Sequence, residues 1–137
     1  MKDWMIFTLI STAIYGFWGF FPKLGTNYLD AKSMLVYEVI GIVVVAGSVF
    51  ASMDFKIPFH PKGVTFAVLT GISGMLGTLF MLKALAKGKV SIIAPMTALY
   101  PVGTLILAAL TIKEPMTFKQ LLGIGLSFIA IYLTAGG

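Results

Sequence analysis

One acidic side chain, Glu38, lies inside a long apolar segment of the sequence, residues 33–53, and it offers the clearest chemistry of the chain. A carboxylate at such a place is costly unless it is paired, protonated or within reach of water. Glu38 is therefore a candidate for binding a proton, a cation or a substrate group. The alternative is an interfacial ion pair, because the residue lies only ~8 Å along a helix axis from Ser33. Three lysines could supply that pair: Lys23, Lys32 and Lys83.

Hydroxyl and aromatic side chains form a stripe along the first apolar segment. Thr8, Ser11, Thr12 and Tyr15 recur at helical spacing, and Trp18 follows them. Inside lipid such a stripe should face protein or water, so Tyr15 and Trp18 are candidates for lining a binding site. The alternative is that the hydroxyl groups bond back to carbonyls of their own helix and that the tyrosine simply packs.

Two prolines interrupt the longest uncharged segment, residues 90–112. Pro95 and Pro101 each lack the N–H that would bond to the carbonyl four residues earlier, so a broken helix is expected there. Thr97 and Tyr100 share a face that could line a substrate cavity, as broken helices do in many transporters, and the prolines would shape its wall. The alternative is a structural kink whose exposed backbone is satisfied by neighbouring helices.

Lys83 ends the third apolar segment, residues 64–82. Its ammonium group is a candidate for contact with an anionic part of a substrate. The alternative is snorkelling, in which the four-carbon stem carries the charge to the lipid headgroups.

Several kinds of chemistry lack the residues that they need. The chain has no cysteine and one histidine, His60, so no disulfide, metal site or cofactor is expected. Glu38 has no second carboxylate or activated nucleophile to act with it, so the chain is not expected to be an enzyme. The net charge of +5 comes from lysines spread over every loop, which favours lipid headgroups and water over nucleic acid as partners.

Five apolar segments must position these residues. With 58% hydrophobic and 11% charged residues and a mean hydropathy of +0.99, the composition is that of an integral membrane protein. Each segment can cross ~30 Å of hydrocarbon as a helix, and the alternation of barrel strands is missing. The segments are residues 4–22, 33–53, 64–82, 90–112 and 120–137. The sequence thus predicts an all-α membrane protein with five transmembrane helices in a single domain, residues 1–137.

Local signals indicate helix ends and contact faces. Asp30 or Ser33 is expected to cap the second helix, and Thr117 with Gln120 fits a capping box at the start of the fifth. Small residues line one face of the third helix and one of the fifth, which lets backbones pack closely within a subunit or between subunits. These faces contain Ala67, Gly71, Gly74 and Thr78, and Gly123, Ser127, Ala130 and Thr134.

Several short motifs, taken in their order and spacing, resemble one known family. The motifs are Tyr15-Gly16-Phe17-Trp18-Gly19 with Lys23, Lys83-Ala84-Leu85, Ala94-Pro95, Tyr100-Pro101-Val102, Lys113-Glu114-Pro115 and Gln120-Leu121-Leu122-Gly123. Over nearly the whole chain they resemble the EamA-type domain of the drug/metabolite transporter superfamily. Two departures concern the substrate: members often carry an arginine where this sequence has Tyr37-Glu38, and an aromatic residue where Lys83 stands.

The resemblance implies a membrane transporter built from helical repeats. Family members typically have ten helices made of two inverted five-helix repeats, with the substrate cavity between the halves. This chain has the length of one repeat, so it resembles one half of such a transporter. No nucleotide-binding loop is present in the sequence, so transport energy is expected to come from a gradient.

With five crossings, the lysines divide equally between the two sides of the membrane. One side carries Lys2, Lys56, Lys62, Lys113 and Lys119, and the other carries Lys23, Lys32, Lys83, Lys87 and Lys89. The positive-inside rule then selects no orientation, which predicts insertion both ways up. Two opposed copies would rebuild the inverted repeat and place the cavity at their interface.

The sequence therefore favours a secondary transporter subunit in the cell membrane, inner or plasma. It is expected to export a small organic metabolite or drug-like compound by alternating access, as a homodimer that is antiparallel on the lysine argument. The alternative is a non-transporting assembly or regulatory partner of another membrane protein, which the small-residue faces would serve equally well. The substrate, the coupling ion, the transport direction and the relative orientation of the two copies stay open.

Overall fold

A computed structural model describes residues 3–113 and 115–135 of the chain. Outside its turns, this described part is α-helical, as predicted. Its helices are α1 (Asp3–Gly25), α2 (Ala31–Ser52), α3 (Pro61–Lys87), α4 (Val90–Thr97), α5 (Tyr100–Thr111) and α6 (Phe118–Ala135). The expected break in the fourth crossing lies at Ala98 and Leu99, between α4 and α5. Glu114, in the predicted turn before the last helix, lies outside the described residues.

The helices have the length and exposure of membrane spans. α1, α2, α3 and the stretch Val90–Thr111, which includes α4 and α5, are long and apolar enough to cross a bilayer. The 18 residues of α6 form a shorter apolar helix. Large apolar side chains along them are mostly exposed, for example Val36 at 68% and Leu110 at 73%, because lipid rather than protein covers this surface. The prediction of an all-α membrane protein is confirmed, and five crossings fit it.

The chain divides into two compact units, Met1–Lys87 with α1 to α3 and Gly88–Gly137 with α4 to α6. In the first unit α1 and α2 each pack against α3, and in the second α4 packs against α6. The core of the first unit lies where α1 ends, α2 begins and α3 ends. Its side chains are Pro22, Ala31, Thr78, Met81, Leu82 and Leu85. Because lipid is as apolar as these side chains, dispersion contacts rather than water exclusion hold this core together.

Asp30 caps α2, as one of the two predicted choices. Its Oδ2 accepts hydrogen bonds from the backbone N–H groups of Lys32 at 3.0 Å and Ser33 at 3.3 Å. The Ser33 hydroxyl also donates to Oδ1 at 2.5 Å. The hydroxyl bond first, and then the backbone bonds, lower the pKa of Asp30 from its usual value. The cap thus satisfies amides that the membrane interior cannot.

The predicted capping box starts α6. The Thr117 N–H donates to Gln120 Oε1 at 2.7 Å, and the Gln120 N–H donates to Thr117 Oγ1 at 3.3 Å. This reciprocal pair satisfies two of the first amides of the helix. α3 has a cap that the sequence did not predict, because the Gly63 N–H donates to His60 Nδ1 at 3.3 Å.

Candidate substrate-binding site

A hydrogen bond between α1 and α2 joins two of the residues singled out by the sequence. The Trp18 indole donates from Nε1 to Glu38 Oε1 at 3.1 Å. Glu38 is half-buried, and Trp18 is 39% exposed. The carboxylate in the apolar span therefore has a partner that is polar but uncharged, so its negative charge is not cancelled by this contact.

The two residues meet because they lie at the same depth. Trp18 lies seven residues before the last residue of α1, Gly25, and Glu38 lies seven residues after the first residue of α2, Ala31. At 1.5 Å per residue, each is about 10 Å from the connection between the helices. α1 and α2 pack mainly against α3 rather than against each other, so long side chains are needed to bridge them.

Tyr15 completes an aromatic corner beside Glu38. Its ring centroid lies 6.1 Å from that of Trp18, with the ring planes at 69° in an edge-to-face arrangement. Tyr15 is 59% exposed, so the corner is open on its outer side. The predicted lining residues Tyr15 and Trp18 and the predicted coupling residue Glu38 thus form one cluster, which we call the Glu38 corner.

Two of the three lysines considered as partners of Glu38, Lys23 and Lys83, have other contacts. Lys23 Nζ donates to the Leu85 carbonyl at 2.8 Å, which ties the end of α1 to the last turns of α3. A cation there also interacts favourably with the carbonyl end of the α3 dipole. Lys83 Nζ lies 5.2 Å from the ring centroid of Phe80 on its own helix, within cation–π range. Its predicted role as an anion contact stays a prediction.

The hydroxyl groups of the α1 stripe bond to their own helix. Thr8 Oγ1 donates to the Trp4 carbonyl at 2.8 Å, and Thr12 Oγ1 donates to the Thr8 carbonyl at 2.9 Å. This is the back-bonding alternative given above for these two threonines. A hydroxyl that donates in this way keeps its lone pairs, so it can still accept a bond from a ligand.

The remaining predicted lining residues lie at the break between α4 and α5. Thr97 is the last residue of α4, and its Oγ1 donates to the Ile93 carbonyl at 2.8 Å. Tyr100 is the first residue of α5 and is 68% exposed. Pro95 lies inside α4, and Pro101 lies in the first turn of α5, where a missing N–H costs least.

The structure thus arranges the predicted site residues in two groups. Tyr15, Trp18 and Glu38 form the Glu38 corner in the first unit, and the four residues around the α4–α5 break belong to the second. Sequence reasoning selected both Trp18 and Glu38 but missed that they pair. Their equal distance from the α1–α2 connection is the signal that could have shown it.

Comparison with known proteins places the chain in a family of membrane transporters. It belongs to the EamA-like transporter family, which it matches over residues 2–136, across both units. It is therefore a multi-pass membrane protein with one five-helix repeat of the drug/metabolite transporter type, as the motifs indicated.

The chain is also similar to an uncharacterized protein of Methanocaldococcus jannaschii. The two are 30% identical over 135 residues, which cover 97% of this chain and 96% of that relative. No solved structure matches the chain.

Proposed function

We propose that this protein is one subunit of a secondary transporter that exports a small organic compound by alternating access. Two copies, inserted in opposite orientations, form the working unit, and the substrate cavity lies between them. Tyr15, Trp18, Thr97 and Tyr100 line the cavity, and Glu38 binds the coupling proton or cation. The family membership supports transport as the activity.

The Trp18–Glu38 hydrogen bond carries this proposal. A helix that only has to cross a membrane avoids an ionisable group, since placing one about 10 Å into the span is costly. Here the carboxylate is instead held in place by an indole at 3.1 Å and flanked by a second aromatic ring. Intramembrane acids with such fixed partners mark pathways for protons, ions and substrates.

The break between α4 and α5 supports the proposal that Thr97 and Tyr100 line the substrate cavity. Helices that are broken at membrane depth place backbone groups where a substrate can meet them, provided that the break lines a cavity. Thr97 adds a hydroxyl and Tyr100 an exposed ring at this point. Pro95 and Pro101 prevent α4 and α5 from joining into one regular helix. Neither residue has the backbone N–H that would donate to the carbonyl four residues earlier.

A recess in the second unit is too small to be the proposed substrate cavity by itself. The recess, between Leu105, Ala108 and Met116, has an open volume of about 20 Å³. That volume admits one water molecule and no metabolite. This recess alone cannot hold the substrate, and in the proposed dimer the second copy supplies walls of the cavity.

The glycine positions and the lysines support assembly of opposed copies. A Cβ added at Gly71 or Gly74 would meet no atom within 4 Å in the described part of the chain, so α3 is open to another helix at these two glycines. The ten lysines divide five and five between the two sides, which gives neither orientation an advantage.

Transport by the purified protein tests the proposal. Proteoliposomes are loaded with a cell metabolite extract, a proton or sodium gradient is imposed, and mass spectrometry follows which compounds leave. We expect gradient-dependent loss of a small set of compounds that is absent from empty liposomes and from the Glu38→Gln variant. The matched control is Asp54→Asn, which removes an acid that follows α2, outside the spans.

The competing function is a non-transporting partner of another membrane protein, which these two open glycines of α3 would also serve. Folded protein that moves no compound under either gradient, and that purifies from cells with a stoichiometric membrane partner, would favour this function over transport.

A further inference from the structure

We propose that the substrate is an organic cation with an apolar body, and that its charged nitrogen takes the place of the Trp18 indole at Glu38. This inference rests on the proposed transport function and specifies its substrate class. It follows from the charge of the site, the arrangement of the two rings and the nature of the bond that joins Trp18 to Glu38.

The charge of the site is negative. Of the five acidic residues, Asp3 begins α1, Asp30 caps α2, Asp54 follows α2, and Glu114 lies outside the described residues. Glu38 is the acid placed within a span. The α1–α2 pair thus holds an unneutralised carboxylate, which favours a positively charged ligand and repels an anionic one.

The rings of Tyr15 and Trp18 suit the same ligand. Their planes stand at 69° with centroids 6.1 Å apart, so they form two sides of a corner next to the carboxylate. A cation within about 6 Å of an aromatic centroid is attracted by the electron-rich ring face, and tryptophan is the strongest of these partners. The exposed surface of both rings also offers apolar contact to the body of the ligand.

The bond between Trp18 and Glu38 can be exchanged for a ligand. The indole nitrogen only donates, so the contact is a hydrogen bond from a neutral group to the carboxylate at 3.1 Å. A cation binds a carboxylate more strongly than a neutral donor does, because the full charge interacts across the low-dielectric span. When the cation binds, its charged nitrogen replaces the indole N–H as the partner of Glu38, and the Trp18 ring remains one side of the corner.

An inorganic ion fits this site less well. In the part of the chain that the structure describes, no three His, Cys, Asp or Glu side chains come together to hold a metal ion. One carboxylate with two aromatic rings lacks the oxygen ligands that hard cations require. The same three groups satisfy an ammonium ion whose charge is spread over alkyl groups.

Fluorescence of Trp18 tests the proposal directly. The chain has two tryptophans, so the full-length Trp4→Phe protein in detergent reports on Trp18 alone. It is titrated with benzyltrimethylammonium and with neopentylbenzene, which has the same shape with carbon in place of the charged nitrogen. We expect a saturable change in emission for the cation, with at least tenfold weaker binding of the neutral compound.

Variants at Glu38 separate charge from fold. Glu38→Gln should weaken cation binding at least tenfold, whereas Glu38→Asp keeps the charge and should retain binding within about tenfold. Asp54→Asn, with an acid outside the helices removed, should bind as the parent does. Helical circular dichroism and gel-filtration volume establish that each variant is folded.

The outcomes separate this inference from the proposed function. Equal binding of the two compounds, unchanged cation binding by Glu38→Gln, or no saturable response to benzyltrimethylammonium overturns the inference. If the proteoliposomes still export neutral or anionic compounds, the proposed function stands without it. If the cation binds as expected but no compound is transported, the Glu38 corner is a cation site and the transport proposal fails.

Discussion

The hydrogen bond between Trp18 and Glu38 predicts how strongly these two side chains couple α1 to α2. Trp18→Phe keeps an aromatic ring but removes the Nε1–H that lies 3.1 Å from Glu38 Oε1. Hydrogen bonds to charged groups contribute about 1.5–3 kcal/mol to stability. Because Trp18 is 39% exposed and Glu38 is half-buried, we expect the lower end of this range, about 1.5 kcal/mol.

A double-mutant cycle measures this coupling free energy. Trp18→Phe, Glu38→Met and the double variant are unfolded with SDS in mixed micelles, and helicity is followed by circular dichroism. Glu38→Met removes a carboxylate from an apolar span, so by itself it can raise the free energy of unfolding. The cycle cancels that effect, and the double variant should depart from additivity by about 1.5 kcal/mol.

Trp4→Phe is the matched control, since Trp4 lies on the same helix and is 62% exposed. Its effect should add to that of Glu38→Met within ~0.5 kcal/mol, as expected for independent sites. If Trp18→Phe and Glu38→Met prove equally additive, the reasoning that links the two helices through this bond is refuted.

Three further predictions concern the ends of the helices. Lys23→Met removes the ammonium that bonds the Leu85 carbonyl and should lower the free energy of unfolding by about 1.5–3 kcal/mol; Lys32→Met is its control, and an equal loss in both would count against the bond. Because hydrogen bonds lower the pKa of Asp30, its ionised form is favoured in the folded state. The stability from this cap should be complete above the ordinary carboxyl pKa of about 3.9 and be lost as the pH falls through the lowered value. Asp30→Asn, which caps without titrating, should remove this part of an acid unfolding curve, and an unchanged curve would contradict the assignment. Thr117→Ala should cost about 1 kcal/mol in the same unfolding assay, and no loss would mean that the capping box does not stabilise α6.

The helices and their ends were predictable because their causes are local. Runs of apolar residues long enough to span a membrane, the acid at Asp30 and the Thr117–Gln120 spacing each act within a few residues of the helix that they define. The break at Ala98 and Leu99 follows from Pro95 and Pro101 in the same way, since proline removes backbone donors wherever it stands.

The partners of the charged residues were harder to predict because they depend on how the helices are rotated and packed. Sequence reasoning offered Glu38 a lysine, on the grounds of charge alone. In the structure its partner is Trp18, 20 residues away. The two side chains meet because they lie equally far from the connection between α1 and α2, and therefore at the same depth. Lys23 donates a hydrogen bond to the carbonyl of Leu85, 62 residues away, and no local sequence pattern predicts that contact. Equal depth is a signal that can be counted from sequence, whereas the Lys23 contact requires the packing of α1 on α3.

Labelling of single cysteines tests most directly whether opposed copies form the transporter. The chain has no cysteine of its own, so Asn27→Cys in the first loop and Ile57→Cys in the second each introduce one unique thiol without changing the number of lysines. Intact cells are treated with a membrane-impermeant maleimide, and labelling is repeated after permeabilisation. Dual insertion predicts that roughly half of the molecules are labelled at each position in intact cells and all of them afterwards. Complete labelling of one loop together with none of the other would show a single orientation and contradict the antiparallel assembly.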